Sequence, residues 1–267
     1  MAKEKIISII NQKGGVGKTT TVINLAAGLS EKNKKTLVID LDPQGNATTG
    51  LGLSNTDVTE KTIYNVLNGQ KKISDVIQKT QFENLDIITS NVDLSGLEVE
   101  TAGDSRRAFI LKDELAAYLN NSGALYTHIL IDCPPSLSLL TVMALVASNS
   151  LIVPLQTEFF ALEGLTQLMK TIERIKSNLN PNLLVRGILL TMYDKRNKLS
   201  GQVEKEARDY FKEKVYQSVV PRNVRLSEAP SHGIPVLLYD KSCPGSKAYF
   251  NFTEEFLSQD NEFESAA

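Results

Sequence analysis

The sequence predicts a single α/β domain built on a doubly wound, mostly parallel sheet flanked by helices. Three observations predict it. Short apolar runs rich in β-branched residues recur along the chain, and most are apolar on both faces, as strands buried in a parallel sheet are. Amphipathic stretches of helical spacing alternate with them, the order that parallel strands joined by crossover helices require. A glycine-rich turn closes the first run and opens the first helix, which is where such a sheet binds ligands.

The strands are expected at residues 6–10, 36–41, 85–89, 128–132, 151–155, 187–192 and 215–220, with 235–239 as an added edge strand. After the first strand, Val22, Leu25, Ala26 and Leu29 form one apolar stripe. Leu162, Leu165, Met169, Ile172 and Ile175 form another, on a helix that Pro181 closes. Residues 46–79 are the least regular stretch and read as a helical excursion with loops. Residues 1–257 are read as one domain, and the acidic, polar tail 258–267 is expected to fray. With 267 residues the chain can bury a sizeable core. The net charge of −2 gives no global sign of a polyanionic partner, so any such partner must be read from local charge. Cys133 and Cys243 stand far apart with no CxxC pair, which argues against a disulfide framework or zinc site and fits a reducing cytoplasm. Residues 1–5 carry charge and contain no signal-peptide core, and no apolar run approaches membrane-span length.

The strongest motif is Gly14-Gly15-Val16-Gly17-Lys18-Thr19-Thr20, preceded by Lys13. Lying between a strand and a helix, it has the context of a phosphate-binding loop (P-loop). Its glycines let the backbone turn its N–H groups inward, and the positive end of the following helix completes an anion cradle. Lys18 reaches the β- and γ-phosphates, Thr19 is placed to ligate Mg²⁺, and Thr20 can bond the α-phosphate. A second acid is needed near the metal. The apolar strand 128–132 ends in Asp132, which can hold a water on Mg²⁺. Asp40 and Asp42 follow the second strand at i and i+2, so both point the same way, and a carboxylate there can orient the attacking water. Lys13 has two readings that spacing does not separate: a solvated surface lysine, or a second phosphate cation offered to a facing subunit. His128 and His232 stand alone and read as structural.

Taken together, KGGVGKTT, DLDPQGNAT (40–48) and ILIDCPPS (129–136) resemble the ParA/Soj branch of the deviant Walker A ATPases. MinD and the nitrogenase iron protein belong to the same superfamily. The similarity extends through FALEGL (160–165) and VPRNVRLSEAPSHG (220–233), so it covers nearly the whole chain. The resemblance implies a Mg²⁺-dependent ATP hydrolase. Lys13 matches the signature lysine that reaches across an ATP-sandwich homodimer. Lys18 and Thr19 match the phosphate lysine and the metal ligand, and Asp132 the Walker B acid. Asp42 matches the aspartate required for hydrolysis, which prefers it to Asp40. Pro221 and Asn223 match residues that recognise adenine. The family's ATP dimers bind double-stranded DNA non-specifically, and a centromere-binding ParB partner stimulates hydrolysis and releases them. A cytoplasmic, nucleoid-associated protein is therefore expected. One departure is Met143, where the family carries Asn in a helix near the dimer face.

Local charge supports a DNA partner independently. Residues 181–250 hold 12 Lys and Arg against 7 Asp and Glu, although the whole chain is acidic. Lys195, Arg196 and Lys198 cluster in one loop, Arg222 and Arg225 in another, and Arg196 and Arg225 match DNA-contacting positions of Soj-like relatives. Contacts of this kind would be to phosphates and blind to sequence. The helix 201–214 has mixed charge and reads as a solvated face. Two competing classes are a MinD-like ATPase that positions cargo on membrane, and a small-molecule ligase. The first wants a basic amphipathic terminal helix, which the acidic tail does not supply, and no membrane partner is expected. The second wants an acceptor pocket that the sequence does not reveal.

Overall fold

The structure, a computed structural model, describes residues 5–54, 60–122 and 125–265. Eight strands, β1 (Lys5–Ile9), β2 (Thr36–Asp40), β3 (Gln78–Lys79), β4 (Leu85–Ile88), β5 (His128–Asp132), β6 (Ser150–Gln156), β7 (Leu184–Tyr193) and β8 (Val215–Pro221), make one sheet. Its order is β3-β4-β2-β5-β1-β6-β7-β8. Every pairing is parallel except the short β3–β4 pair. All seven expected main strands are present with ends shifted by a few residues, and β3 is an addition at the edge.

Among the described residues twelve α-helices, with four short 3-10 turns between them, connect and cover the sheet: α1 (Lys18–Glu31), α2 (Asn46–Gly50), α3 (Ile63–Leu67), α4 (Ile73–Val76), α5 (Leu97–Glu100), α6 (Ile110–Ser122), α7 (Leu139–Ala147), α8 (Ala161–Asn178), α9 (Lys198–Phe211), α10 (Arg225–Glu228), α11 (Val236–Tyr239) and α12 (Pro244–Ser265). Successive side chains of a strand point to opposite faces. Leu37, Ile39, Ile129 and Ile131 accordingly meet Leu111 and Leu115 of α6, Met143 of α7 and Leu165, Leu168 and Ile172 of α8 on one face. Val38, Leu130, Ile7 and Ile9 meet Val22, Leu25 and Leu29 of α1 and Phe252 and Phe256 of α12 on the other. Both predicted stripes face the sheet, although Leu162 and Met169 are only partly buried and Leu168 joins the second stripe. Helix α9 is not wholly a solvated face, because Val203 and Ala207 enter the core. Met143 is fully buried, so the departure at this position is accommodated by core packing.

Three expectations are corrected. The edge strand expected at 235–239 is the helical turn α11, in which the Leu238 and Tyr239 N–H groups donate back to the Pro235 carbonyl. The run is short and apolar, a pattern shared by strands and buried helical turns. Here Val236 N–H donates to Asn24 Oδ1 of α1 at 2.8 Å, and Val236 and Leu237 are buried beside α1 and α12. Second, the tail does not fray from residue 258: α12 runs to Ser265, and Asp260 is 3% exposed. Its carboxylate accepts from His128 Nε2 at 2.8 Å, lies 3.1 Å from Lys5 Nζ, and also receives Arg186. Third, His128 is therefore structural but not isolated: Asp260 of α12 joins it to Lys5 and Arg186. Residues 266–267 of the tail, 55–59 of the 46–79 excursion and 1–4 of the N-terminus lie outside the described residues. The rest of that excursion forms α2 to α4 and β3. Among the described residues no helix is long and apolar enough to cross a membrane.

Candidate nucleotide-binding site

Strands β1, β2 and β5 are adjacent in the sheet, so their C-terminal ends deliver the P-loop, the paired aspartates and Asp132 to one place. Asp40 stands opposite Asp132 in the β2–β5 register, and Ile9 stands opposite Asp132 from β1. The P-loop turns from β1 into α1 through Gly15 at φ 74° and Gly17 at φ 91°, conformations that side chains resist. Thr191 of β7 braces the loop by donating its hydroxyl to the Val16 carbonyl at 2.8 Å. A cleft of 460 Å³ opens above it, lined by Gly14, Gly15, Gly17, Lys18, Thr19, Thr20 and Asp42 together with Asn46, Met192, Pro230 and Ser231, among others.

The charges converging on this cleft are largely desolvated. Lys18 is 6% exposed, and its ammonium donates to the Lys13 carbonyl at 3.1 Å. Burial lowers its pKa, partly countered by Asp132 and the other negative groups nearby. Thr19 donates its hydroxyl to Asp132 Oδ2 at 2.7 Å, while the buried Asp132 Oδ1 has no hydrogen-bond partner among the described residues. Burial first, and then the neighbouring Asp40 charge, hold Asp132 well above the usual carboxylate range.

Asp40 and Asp42 divide the work that their spacing left open. Asp40 is fully buried and already saturated: Oδ2 accepts from the Thr48 N–H and hydroxyl at 2.8 and 2.7 Å, and Oδ1 from the Asp42 N–H at 3.2 Å. Burial pushes its pKa up to about 6. It ties the end of β2 to α2. Asp42 lines the cleft, and one of its oxygens accepts from the Gln44 N–H at 3.0 Å.

A hydroxyl beside an acid with an orphaned, desolvated oxygen is a donor set suited to a hard divalent cation. Among the described residues no three His, Cys, Asp or Glu side chains form a metal cage. Mg²⁺ at a nucleotide does not require one, since phosphate oxygens and water supply most of its ligands. Thr19 and Asp132 fit the metal, and the inward-facing loop with Lys18 fits the phosphates.

The remaining predicted residues are placed differently. Lys13 is at the rim, its side chain 54% exposed and paired with Glu158, and it does not line the cleft of its own chain. Pro221 and Asn223 do not line the cleft either. Pro221 stands opposite Tyr193, the residue after Met192, and Asn223 Oδ1 accepts the Arg225 N–H at 3.1 Å. Met192, in a left-handed backbone conformation at φ 51°, was not foreseen as a lining residue; its strained geometry is invisible in a sequence. Pro230 and Ser231 fall within the motif quoted above but had not been singled out.

Arg196 lies on the loop after β7 and Arg225 opens α10 after β8, and neither lines the phosphate cleft. Arg196, its side chain 91% exposed, makes a two-pronged contact with Asp194 at 3.0 and 2.9 Å. Arg225 pairs with Glu228 at 2.7 Å. A groove of 880 Å³ brings Lys195, Arg196, Arg222 and Lys247 together; Arg225 is not among its lining residues.

The mostly parallel sheet, the glycine loop at a helix N-terminus and the Thr19–Asp132 pair define a P-loop nucleotide hydrolase, and Lys13 before the loop adds the mark of the deviant Walker A type. The AAA domain family matches residues 4–185. The chromosome partitioning protein ParA of Caulobacter vibrioides is 52% identical over 263 residues, covering 98% of this chain and 97% of that protein. The sporulation initiation inhibitor protein Soj of Bacillus subtilis is 49% identical over 251 residues, covering 94% and 97%. A crystal structure of cobyrinic acid a,c-diamide synthase from Mycobacterium smegmatis with bound ADP and magnesium superposes with a TM-score of 0.83 at 32% identity, covering 99% and 97%. The chain belongs to the ParA/Soj family of chromosome-partitioning ATPases. It is an ATP hydrolase whose nucleotide and metal are ATP and Mg²⁺.

Proposed function

We propose that ATP closes two copies of this chain over their phosphates, that the dimer holds double-stranded DNA without sequence preference, and that a ParB-like partner stimulates hydrolysis and releases it. One observation carries the reading. Lys18 lines the cleft and Lys13 does not, although only four residues lie between them. Lys13 instead sits half exposed at the rim with a carboxylate partner, Glu158, that it can exchange for a more highly charged phosphate on a facing copy.

Within each site, Lys18 and the P-loop N–H groups neutralise phosphate charge. Thr19 and Asp132 would hold Mg²⁺, which would supply further charge neutralisation at the phosphates. Asp42, the cleft-facing acid of its pair, orients the attacking water. Lys13 of one copy completes the charge around the other copy's γ-phosphate, so hydrolysis depends on dimerisation. Pro221 and Asn223 serve the adenine from the loop beside Met192. Residues 1–257 act as one ATPase domain, which α12 extends to Ser265.

The basic loops supply the DNA face. Exposed ion pairs such as Arg196–Asp194 contribute little stability, so exchange of the carboxylate for a DNA phosphate is cheap. Each arginine occurs twice in a dimer, and two weak phosphate contacts gain avidity. A cytoplasmic protein located on the nucleoid follows from this reading. The test is duplex binding against salt with ATP, ADP and no nucleotide. ATP-dependent binding should fall steeply with salt by counterion release, and Arg196→Glu should weaken it while sparing ATP binding and dimerisation. Equal binding by Arg196→Glu across the titration, with the dimer confirmed by light scattering, would leave this loop a solvated surface.

The likeness to the Mycobacterium synthase favours a second reading, a small-molecule synthase on the same scaffold. The identity of 52% to a partitioning protein against 32% to the synthase weighs for DNA.

A further inference from the structure

The Thr191 brace on the P-loop is the first link of a buried hydrogen-bonded chain. Thr191, 2% exposed, donates to the Val16 carbonyl at 2.8 Å, and its own carbonyl accepts the Thr157 N–H at 3.3 Å. The Thr157 hydroxyl donates to Ser200 Oγ at 3.2 Å, and the Ser200 hydroxyl donates back to the Thr157 carbonyl at 3.5 Å. Both residues are buried. Thr157 lies just past the end of β6, so these bonds fall outside the ladder that builds the sheet. Ser200 stands in α9, where serine is a poorer helix former than alanine. The hydroxyls are therefore not what makes these elements.

The two ends of the chain are the phosphate loop and the arginine loop. The Val16 carbonyl and the Gly17 N–H belong to one planar peptide unit, and Gly17 lines the cleft. A phosphate that draws the Gly17 N–H therefore turns the carbonyl that Thr191 holds. At the other end, the Ser200 N–H donates to the Asn197 carbonyl at 3.1 Å. Asn197 caps α9 by accepting the Leu199 N–H at 3.0 Å, and its own N–H donates to the Asp194 carbonyl at 3.0 Å. Arg196 lies inside that turn, its N–H bound to Asp194 Oδ1 at 3.0 Å. Buried polar chains of this kind hold one arrangement of the groups they join.

We propose that Thr191, Thr157 and Ser200 are positioning residues that make the Arg196 turn, and with it the affinity for DNA phosphates, depend on the state of the P-loop. This rests on the reading of the chain as an ATPase that binds DNA with ATP, and adds a second source of that dependence. Dimerisation multiplies whatever each arginine contributes, by avidity; the hydroxyl chain sets what each arginine contributes. Thr157 also adjoins Glu158, the partner of Lys13, so dimer formation is measured beside DNA binding.

The test uses the full chain, a labelled random-sequence duplex and a slowly hydrolysed ATP analogue. Thr157→Val and Ser200→Ala each remove one hydroxyl, and Thr157→Ser restores it. Both hydroxyl-free variants should keep analogue affinity without DNA, and dimer formation by light scattering, within about twofold of the parent, while losing at least about fivefold in duplex affinity with the analogue, the lower edge of ordinary coupling between sites. Thr157→Ser should bind duplex as the parent does. At low salt, Thr157→Val should have no further effect in an Arg196→Ala background, since residues acting through one another are not additive. Parent-like duplex binding by both hydroxyl-free variants overturns the proposal. So does an equal loss in Thr157→Ser, a loss matched by lost dimerisation, or a full Thr157→Val effect without Arg196. Should Thr157→Val fail to fold, Ser200→Ala carries the same comparison. If the parent shows analogue-dependent duplex binding and the variants match it, the hydroxyl chain alone fails; if the parent shows none, the reading beneath it fails.

Discussion

Replacing Asp260 by alanine tests the part of the fold that sequence patterning missed. The carboxylate is 3% exposed and serves three groups at once: His128, Lys5 and Arg186. Two of these cannot turn to water, since the His128 and Arg186 side chains are themselves 3% and 5% exposed. Arg186 would keep the Phe256 carbonyl at 2.8 Å and the Phe256 ring at 3.8 Å, but it would lose the Asp260 carboxylate. Removing one partner of a buried ion pair costs about 3–5 kcal/mol. For a domain of this size that corresponds to a fall in melting temperature of roughly 6–20 °C, taking about 2–4 °C per kcal/mol. Asp260→Asn keeps an acceptor and loses only the charge, so it should cost less, about 1.5–3 kcal/mol, the range of a hydrogen bond to a charged group. Urea unfolding followed by circular dichroism measures both. ATP affinity measured below the transition should be unchanged, because the cluster lies at the opposite end of β5 from Asp132. A loss under about 1 kcal/mol for Asp260→Ala would refute the claim that α12 is locked here, and would return the tail to the frayed state that its composition suggests.

The same cluster gives stability a pH dependence. Burial lowers the His128 pKa, so the unfolded chain binds a proton near pH 6.5 that the folded chain does not, and stability declines as pH falls from there. Burial alone would raise the Asp260 carboxyl, but the His128 hydrogen bond and the Arg186 charge outweigh it and hold it below its usual range, so a second decline begins below about pH 4. His128→Gln should flatten the slope of unfolding free energy between pH 7 and 5; an unchanged slope assigns it to other groups. At the nucleotide, Lys18→Ala should weaken ATP binding by more than about tenfold, and a change within about threefold, under roughly 1 kcal/mol, contradicts the P-loop assignment. Asp42→Ala should keep ATP affinity, lower hydrolysis by about 10²-fold or more and accumulate an ATP dimer by light scattering; hydrolysis at the parent rate moves the role elsewhere. Lys13→Ala should impair dimerisation and hydrolysis more than monomer affinity for ATP, and its mixture with Lys18→Ala should depart from the sum of the two if the lysine acts in trans.

Much of this protein was legible in one dimension. A P-loop is a contiguous segment whose glycines, lysine and threonine act through local backbone geometry, so Gly14 to Thr20 announce their chemistry by spacing alone. Strands buried on both faces write themselves as apolar runs, which is why β1, β2, β4 to β8 and the stripes of α1 and α8 could be placed from the sequence. Other features depend on which strands become neighbours. Asp132 meets Thr19, 113 residues away in the chain, because β5 pairs beside β1. Asp40 and Asp42 are equivalent by spacing, and only the position of Thr48 fixes Asp40 in place and leaves Asp42 facing the cleft. Residues 235–239 satisfy the pattern of a strand as well as that of a helical turn, and Asn24 on α1 decides between them. The tail 258–267 looks solvated because its acids are counted without partners; Lys5, His128 and Arg186 come from three separate strands and meet Asp260 only when the sheet has formed. The sequence determined what its own neighbours along the chain could make. Long-range pairing, which sets burial and therefore the cost of every unpaired charge, belonged to the tertiary structure.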